Sequence, residues 1–206
     1  MKPLFLLPAS AALLAGCLPG AGPALEIAEH DLPAIAIGTA PALAIDTVRV
    51  EAASWLAETS IGYRLKYAEA SRRHAYAHSR WAAPPAELVE RALMRTLIES
   101  QPGQHGGCRL HIVLTEFAQE YTHPEHSSFT IEARATLLPA RGERALARRV
   151  FNQRSAAPRP NAAGGIQAAR TSLQALAEDM LHHWLAELRA ERPHLAARCR
   201  SEENGR

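Results

Sequence analysis

The sequence predicts an α+β fold, a largely antiparallel sheet with two amphipathic helices packed on one face, in the order ββ(β)-α-βββ-α. Three observations predict it. Apolar and polar residues alternate with a period of two in several short stretches; the period lengthens to about 3.6 after Pro84-Pro85; and it does so again from residue 166 onward. A sheet with one apolar face and helices with one apolar stripe bury each other.

The elements follow in order. "LAIDTVRVEA", residues 43–52, sets Leu43, Ile45, Thr47 and Arg49 against Ala44, Asp46, Val48 and Val50, an imperfect strand alternation. After Trp55-Leu56, "IGYRLKYA" puts Ile61, Tyr63, Leu65 and Tyr67 on one face and Arg64 and Lys66 on the other. Pro84 and Pro85 form a joint: proline denies the preceding residue the helical conformation, and in a first turn its missing N–H costs no hydrogen bond. The helix they open carries the stripe Leu88, Val89, Ala92, Leu93, Thr96 and Leu97, and it stops near "SQPGQHGG".

"RLHIVLTEF" then aligns Leu110, Ile112 and Leu114 on one face, and "SFTIEARATL" gives the cleanest alternation in the chain, from Phe129 to Leu137. Turn residues around Arg141-Gly142 lead to a return strand, "ALARRVFNQR". The loop "SAAPRPNAAGG" opens the longest helix, whose stripe runs from Ile166 through Leu173, Met180 and Trp184 to Leu188, bounded by Pro193.

A length of 206 residues at 47% apolar composition fits one domain. A net charge of +2, with arginines scattered along the chain, excludes the basic stripe of a nucleic-acid binder. Lys2 followed by a short apolar run and small residues describes a cleaved secretory signal, too short to span a membrane permanently. Its end, Leu14-Ala15-Gly16-Cys17, matches the lipobox of bacterial lipoproteins, which makes Cys17 the expected lipid attachment site. Acyl chains on such a cysteine anchor the protein to a membrane, and several chains are needed for stable anchoring. Leu18, in place of the aspartate that retains such proteins at the inner membrane, indicates the periplasmic face of the outer membrane. The expected organisation is a signal peptide at 1–16, a lipidated N-terminus and flexible tether at 17–42, a domain at 43–192 and a tail at 193–206. A coil of the tether's length has an end-to-end distance of roughly 25–30 Å.

Two cysteines remain in an oxidising compartment, Cys108 and Cys199. They either form a disulfide or are two separate buried thiols, because sequence does not reveal whether their Cβ atoms meet.

The sequence holds no glycine-rich phosphate loop, no G-x-S-x-G elbow, no H-E-x-x-H and no C-x-x-C, so neither an enzyme, a cofactor nor a metal is expected. His123, Glu125 and His126 share one hairpin loop, but no further ligand is fixed by nearby spacing, and His182-His183 point to different faces of a helix. Arg141, Arg144, Arg148 and Arg149 form a basic strip that could contact anionic lipid or an acidic partner; the simpler reading is a charged edge that resists aggregation. Trp55, in a connection, is either packed under the sheet or presented to a partner.

The run Trp55-Leu56, Tyr63-Arg64-Leu65 and Arg80-Trp81 before the proline joint, with "RRVF", "AAGG" and the helix ending "HHWL", resembles the ABC-type transport auxiliary lipoprotein family. Many relatives carry a tyrosine-containing strand soon after the lipidated cysteine; "ALEIAEHDL" stands there in this chain, which argues against an N-terminal strand. The resemblance implies a non-enzymatic component of a transport system with an MCE-domain protein, a permease and an ATPase, which moves phospholipid or other hydrophobic substrates between membranes. Its implied role is to dock the MCE-protein assembly at the outer membrane; the alternative is a lipid-binding module with an apolar cavity between sheet and helices. Trp55, Tyr63, Arg80 and Trp81 are the candidate partner contacts, with Trp81 alternatively pinning helix to sheet.

Overall fold

A computed structural model describes residues 26–103 and 106–200. The signal region and the lipobox with Cys17 lie outside the described residues.

Among the described residues, seven strands form one sheet, in the order β1 (Ala28–His30), β4 (His74–Trp81), β3 (Ser60–Leu65), β5 (Cys108–His123), β6 (His126–Leu138), β7 (Ala147–Ala156), with β2 (Ile45–Ala52) paired to β5. Helices α1 (Pro85–Ser100) and α2 (Ala162–Ala177) bury their stripes in one core with the apolar face of the sheet. Within it Trp81, Phe117 and Phe129 meet with ring centroids 4.8–6.4 Å apart, and Phe151 meets Trp184 at 5.6 Å.

The α+β class is as the sequence predicts, but the sheet is mixed. β1–β4, β2–β5 and β3–β5 pair in parallel, whereas β3–β4, β5–β6 and β6–β7 are antiparallel. Alternation reports which face a residue takes and not the direction of the strand. The crossover through α1 returns β5 parallel to β2 and β3, as a long connection allows. The last helix is also not one helix. α2 passes through a seven-residue π-helical stretch, Glu178–Trp184, into α3 (Leu185–Glu191). Beyond Pro193 a short α4 (Leu195–Arg198) follows, so the expected tail is partly packed, with Leu195 and Cys199 buried. Cys199 is bonded to Cys108 at the start of β5, with Cα atoms 4.4 Å apart.

The expected tether is shorter than 17–42. β1 pairs with β4 despite the "ALEIAEHDL" composition, and Leu32, Ile35 and Leu43 are buried. Residues 31–43 have no regular element because Pro33 and Pro41 interrupt them. Their backbone is held by helix side chains instead. Thr96 Oγ1 accepts from Ile35 N at 3.1 Å and donates to Ile35 O at 3.0 Å, Gln174 Nε2 donates to Ala36 O at 2.6 Å, and Arg189 reaches Ala42 O at 3.0 Å.

Candidate functional site

Two irregularities in alternation place the site. In β2 a register shift between Ile45 and Thr47 moves the buried phase from Ile45 to Val48 and Val50, which explains the imperfect pattern there. In β5 an extra residue between Leu114 and Glu116 does the same: Leu110, Ile112 and Leu114 face the core, and after the bulge Phe117 pairs with Ile131 and Gln119 with Phe129. Without the extra residue, Glu116 would continue the apolar series into the core. The bulge puts it on the open face, opposite Glu132.

The bulge is also where β5 changes neighbour. β2 pairs with it as far as Ala52↔Leu114, and β3 takes over at Tyr63↔Gln119. The connection between β2 and β3 leaves the sheet across this gap, its Ala53 N donating to Leu114 O at 3.0 Å. A single 3-10 turn, Ser54–Leu56, buries Leu56 and leaves Trp55 56% exposed.

Glu116 is 6% exposed and organises this corner. Arg73 donates to both of its oxygens at 3.0 Å, Arg64 also pairs with it, and Phe117 N donates to Oε1 at 3.2 Å. The Arg73 guanidinium lies 5.3 Å from the Trp55 ring centroid, close enough for cation–π attraction. A pocket of about 190 Å³ is lined here by Trp55, Ser60, Tyr63, Arg64, Arg73 and His74, among others. Further along the same face Glu120, 3% exposed, pairs with Lys66 and Arg154 at 2.7 Å each and accepts from Thr130 at 3.1 Å. Four cations therefore surround two carboxylates.

Behind the pocket is a polar tyrosine cluster. Tyr63 stacks on His74 at 5.0 Å and meets Tyr76 at 4.7 Å, while the Tyr76 hydroxyl lies 2.7 Å from that of Tyr121 and 2.8 Å from Gln119 Oε1. Burial, then the hydrogen bond to Tyr121, raises the Tyr76 pKa far above the ordinary tyrosine value. Burial also raises that of Tyr121.

Of the sequence-predicted contacts, Trp55 and Tyr63 meet here. Arg80 and Trp81 do not. Trp81 is 1% exposed, its ring packed against Phe117 and Phe129 in the core, so it is not on the surface of the domain. Arg80 is exposed at the opposite edge, paired with Glu29 of β1. The residues that sequence reasoning missed are Arg73 and Glu116. Their only signal was the broken period at "VLTEF", which marks a bulge. His123 and His126 flank the β5–β6 turn with ring centroids 5.8 Å apart, and no group of three potential metal ligands occurs among the described residues. His183 is exposed, 4.0 Å from Asp179, and His182 is half-buried. The site thus offers recognition chemistry: an exposed indole, a stacked guanidinium and fixed cations.

Comparison with known proteins places this geometry. The family model described as ABC-type transport auxiliary lipoprotein component matches residues 27–181. A crystal structure of a protein from Xanthomonas campestris superposes with a TM-score of 0.68 at 18% identity, covering 81% of this chain and 99% of that one. Another, of a protein described as uncharacterized, gives 0.59 at 15% identity, covering 76% and 97%. At these identities the likeness is one of fold. No curated protein matches the chain.

Proposed function

The chain belongs to the ABC-type transport auxiliary lipoprotein component family, and from that premise we propose that it is a non-enzymatic docking component of an MCE-type lipid transport system. Cys17 carries the lipid anchor, the domain stands on the periplasmic face of the outer membrane, and the MCE-domain protein, with its permease and ATPase, is the partner. The observation that supports docking is Trp55. A tryptophan left 56% exposed, with an arginine stacked on it and that arginine clamped by a buried glutamate, is held ready for contact at no further ordering cost. The alternative, a lipid-carrying module, needs an apolar cavity between sheet and helices. The Trp81, Phe117 and Phe129 rings fill part of that space, and the cavity of about 630 Å³ between α1 and β2 is lined by Arg49, Glu90, Arg109 and Glu143 as well as by Val48, Met94 and Leu110.

The test is co-purification of the full-length lipoprotein with the MCE-domain protein encoded beside it, together with labelled palmitate incorporation. Retention of the partner by the wild type, its loss on Trp55→Ala, and loss of label on Cys17→Ala are expected. A partner retained equally by Trp55→Ala would remove this pocket from the interface.

A further inference from the structure

Arginines scattered along the sequence gather on the sheet face that the helices leave open. Register sets His111 of β5 beside Thr136 of β6, and Thr136 and Arg134 beside Arg148 and Val150 of β7. These residues line a groove of about 610 Å³ with no carboxylate in its wall. His111 is 3.4 Å from Glu51, and Arg149, at the rim, pairs with Glu187 at 2.6 Å. Arg134 and Arg148 are exposed, and their side chains make no hydrogen bond or ion pair within the described residues. Between them Val150 is 67% exposed.

We propose that this groove and the Trp55 pocket are parts of one docking face, and that its partner is an acidic protein surface whose carboxylates pair with Arg134 and Arg148 around Val150. The inference rests on the docking reading above and names the chemistry of that partner. Three observations carry it. The two guanidiniums are unpaired while those around Glu116 and Glu120 on the same face are satisfied, so these two are free to take carboxylates from outside. Arginine's planar fork suits bidentate carboxylates. An apolar centre with charged groups beside it has the anatomy of a contact patch. The groove shares a sheet face with the carboxylate that anchors the pocket: Arg134 lies two residues from Glu132, which is paired across the ladder with Glu116.

The experiment uses the mature chain and the MCE-domain protein of its system. Arg134→Glu with Arg148→Glu should lower partner affinity by more than about tenfold, because like charges brought together cost several kcal/mol. The unfolding midpoint should move little, since neither side chain makes an ion pair or a side-chain hydrogen bond among the described residues. Arg134→Lys with Arg148→Lys should keep most of the affinity, and Arg95→Glu, which changes net charge on the exposed side of α1, should keep all of it. Wild-type association should slow with salt. If the wild type binds and the double reversal binds as well, the inference falls while the docking reading stands. If the wild type does not bind, both fall. If the double reversal instead loses binding only to phosphatidylglycerol vesicles, the face belongs to a membrane and the inference is overturned.

Discussion

The backbone of Gly165 lies against the side-chain amide of Gln119, so closely that a Cβ on the glycine would sit 1.9 Å from Gln119 Oε1. Gln119 Nε2 donates to Ser127 at 2.7 Å, and its Oε1 accepts from Tyr76. The start of α2, capped by Asn161 accepting from Gly164 N at 2.9 Å, is therefore seated directly on a buried polar network. Gly165→Ala should destabilise the domain by about 1–3 kcal/mol through overpacking. Gln119→Ala should be less damaging in the Gly165→Ala background than in the wild type. Thermal unfolding of both single variants and the double variant measures this coupling; strict additivity would show that the helix is not seated there.

The two indoles nearest the site should separate cleanly in their effects. Trp81→Ala removes a fully buried ring and should cost about 3–5 kcal/mol of stability. Trp55→Ala, at an exposed position, should change stability by less than about 0.5 kcal/mol while abolishing partner retention. Denaturation curves beside co-purification distinguish the two.

Glu116→Ala leaves Arg64 and Arg73 facing each other without their shared carboxylate. A loss of about 2–4 kcal/mol is expected, since removing one partner of a mostly buried pair leaves charge uncompensated. Arg73 should also release Trp55, which a shift in tryptophan fluorescence in the wild-type background but not in Trp55→Phe would report.

Reduction should weaken the fold. The Cys108–Cys199 bridge closes a separation of 91 residues, for which the chain-entropy model gives about 4–5 kcal/mol. Urea midpoints of Cys108→Ser and of the reduced wild type should fall together, well below that of the oxidised protein.

Alkaline pH should unfold the protein through its tyrosines. Tyr76 and Tyr121 have folded pKa values raised by burial, so below about pH 10, where unfolded tyrosine ionises, their contribution to stability is fully present. Above it the unfolded chain loses protons first, and stability falls as pH rises. Tyr76→Phe should flatten that fall, as unfolding midpoints measured between pH 8 and about pH 11 will show.

The elements with unbroken periodicity were legible from sequence. "SFTIEARATL" and the stripes of both main helices occupy the faces that their spacing assigns. What escaped had a physical cause each time. Strand direction is invisible to alternation, so a mixed sheet with β2 and β3 parallel to β5 read as largely antiparallel. Residues 31–43 follow no period because their hydrogen bonds go to side chains of α1, α2 and α3. Half of the candidate site was legible as Trp55 and Tyr63, residues whose chemistry is conspicuous. Arg73 and Glu116 look like ordinary surface charges until a bulge turns one toward the other.

The segment stitched between the helices also sets a load path. Any pull on the chain from its N-terminal side enters the described residues just before β1. It would first meet β1, three residues paired in parallel with β4. Behind it the bonds from Thr96, Gln174 and Arg189 spread the remaining force over three helices. Such a load would be shared by a strand pair and three helices rather than by any single contact.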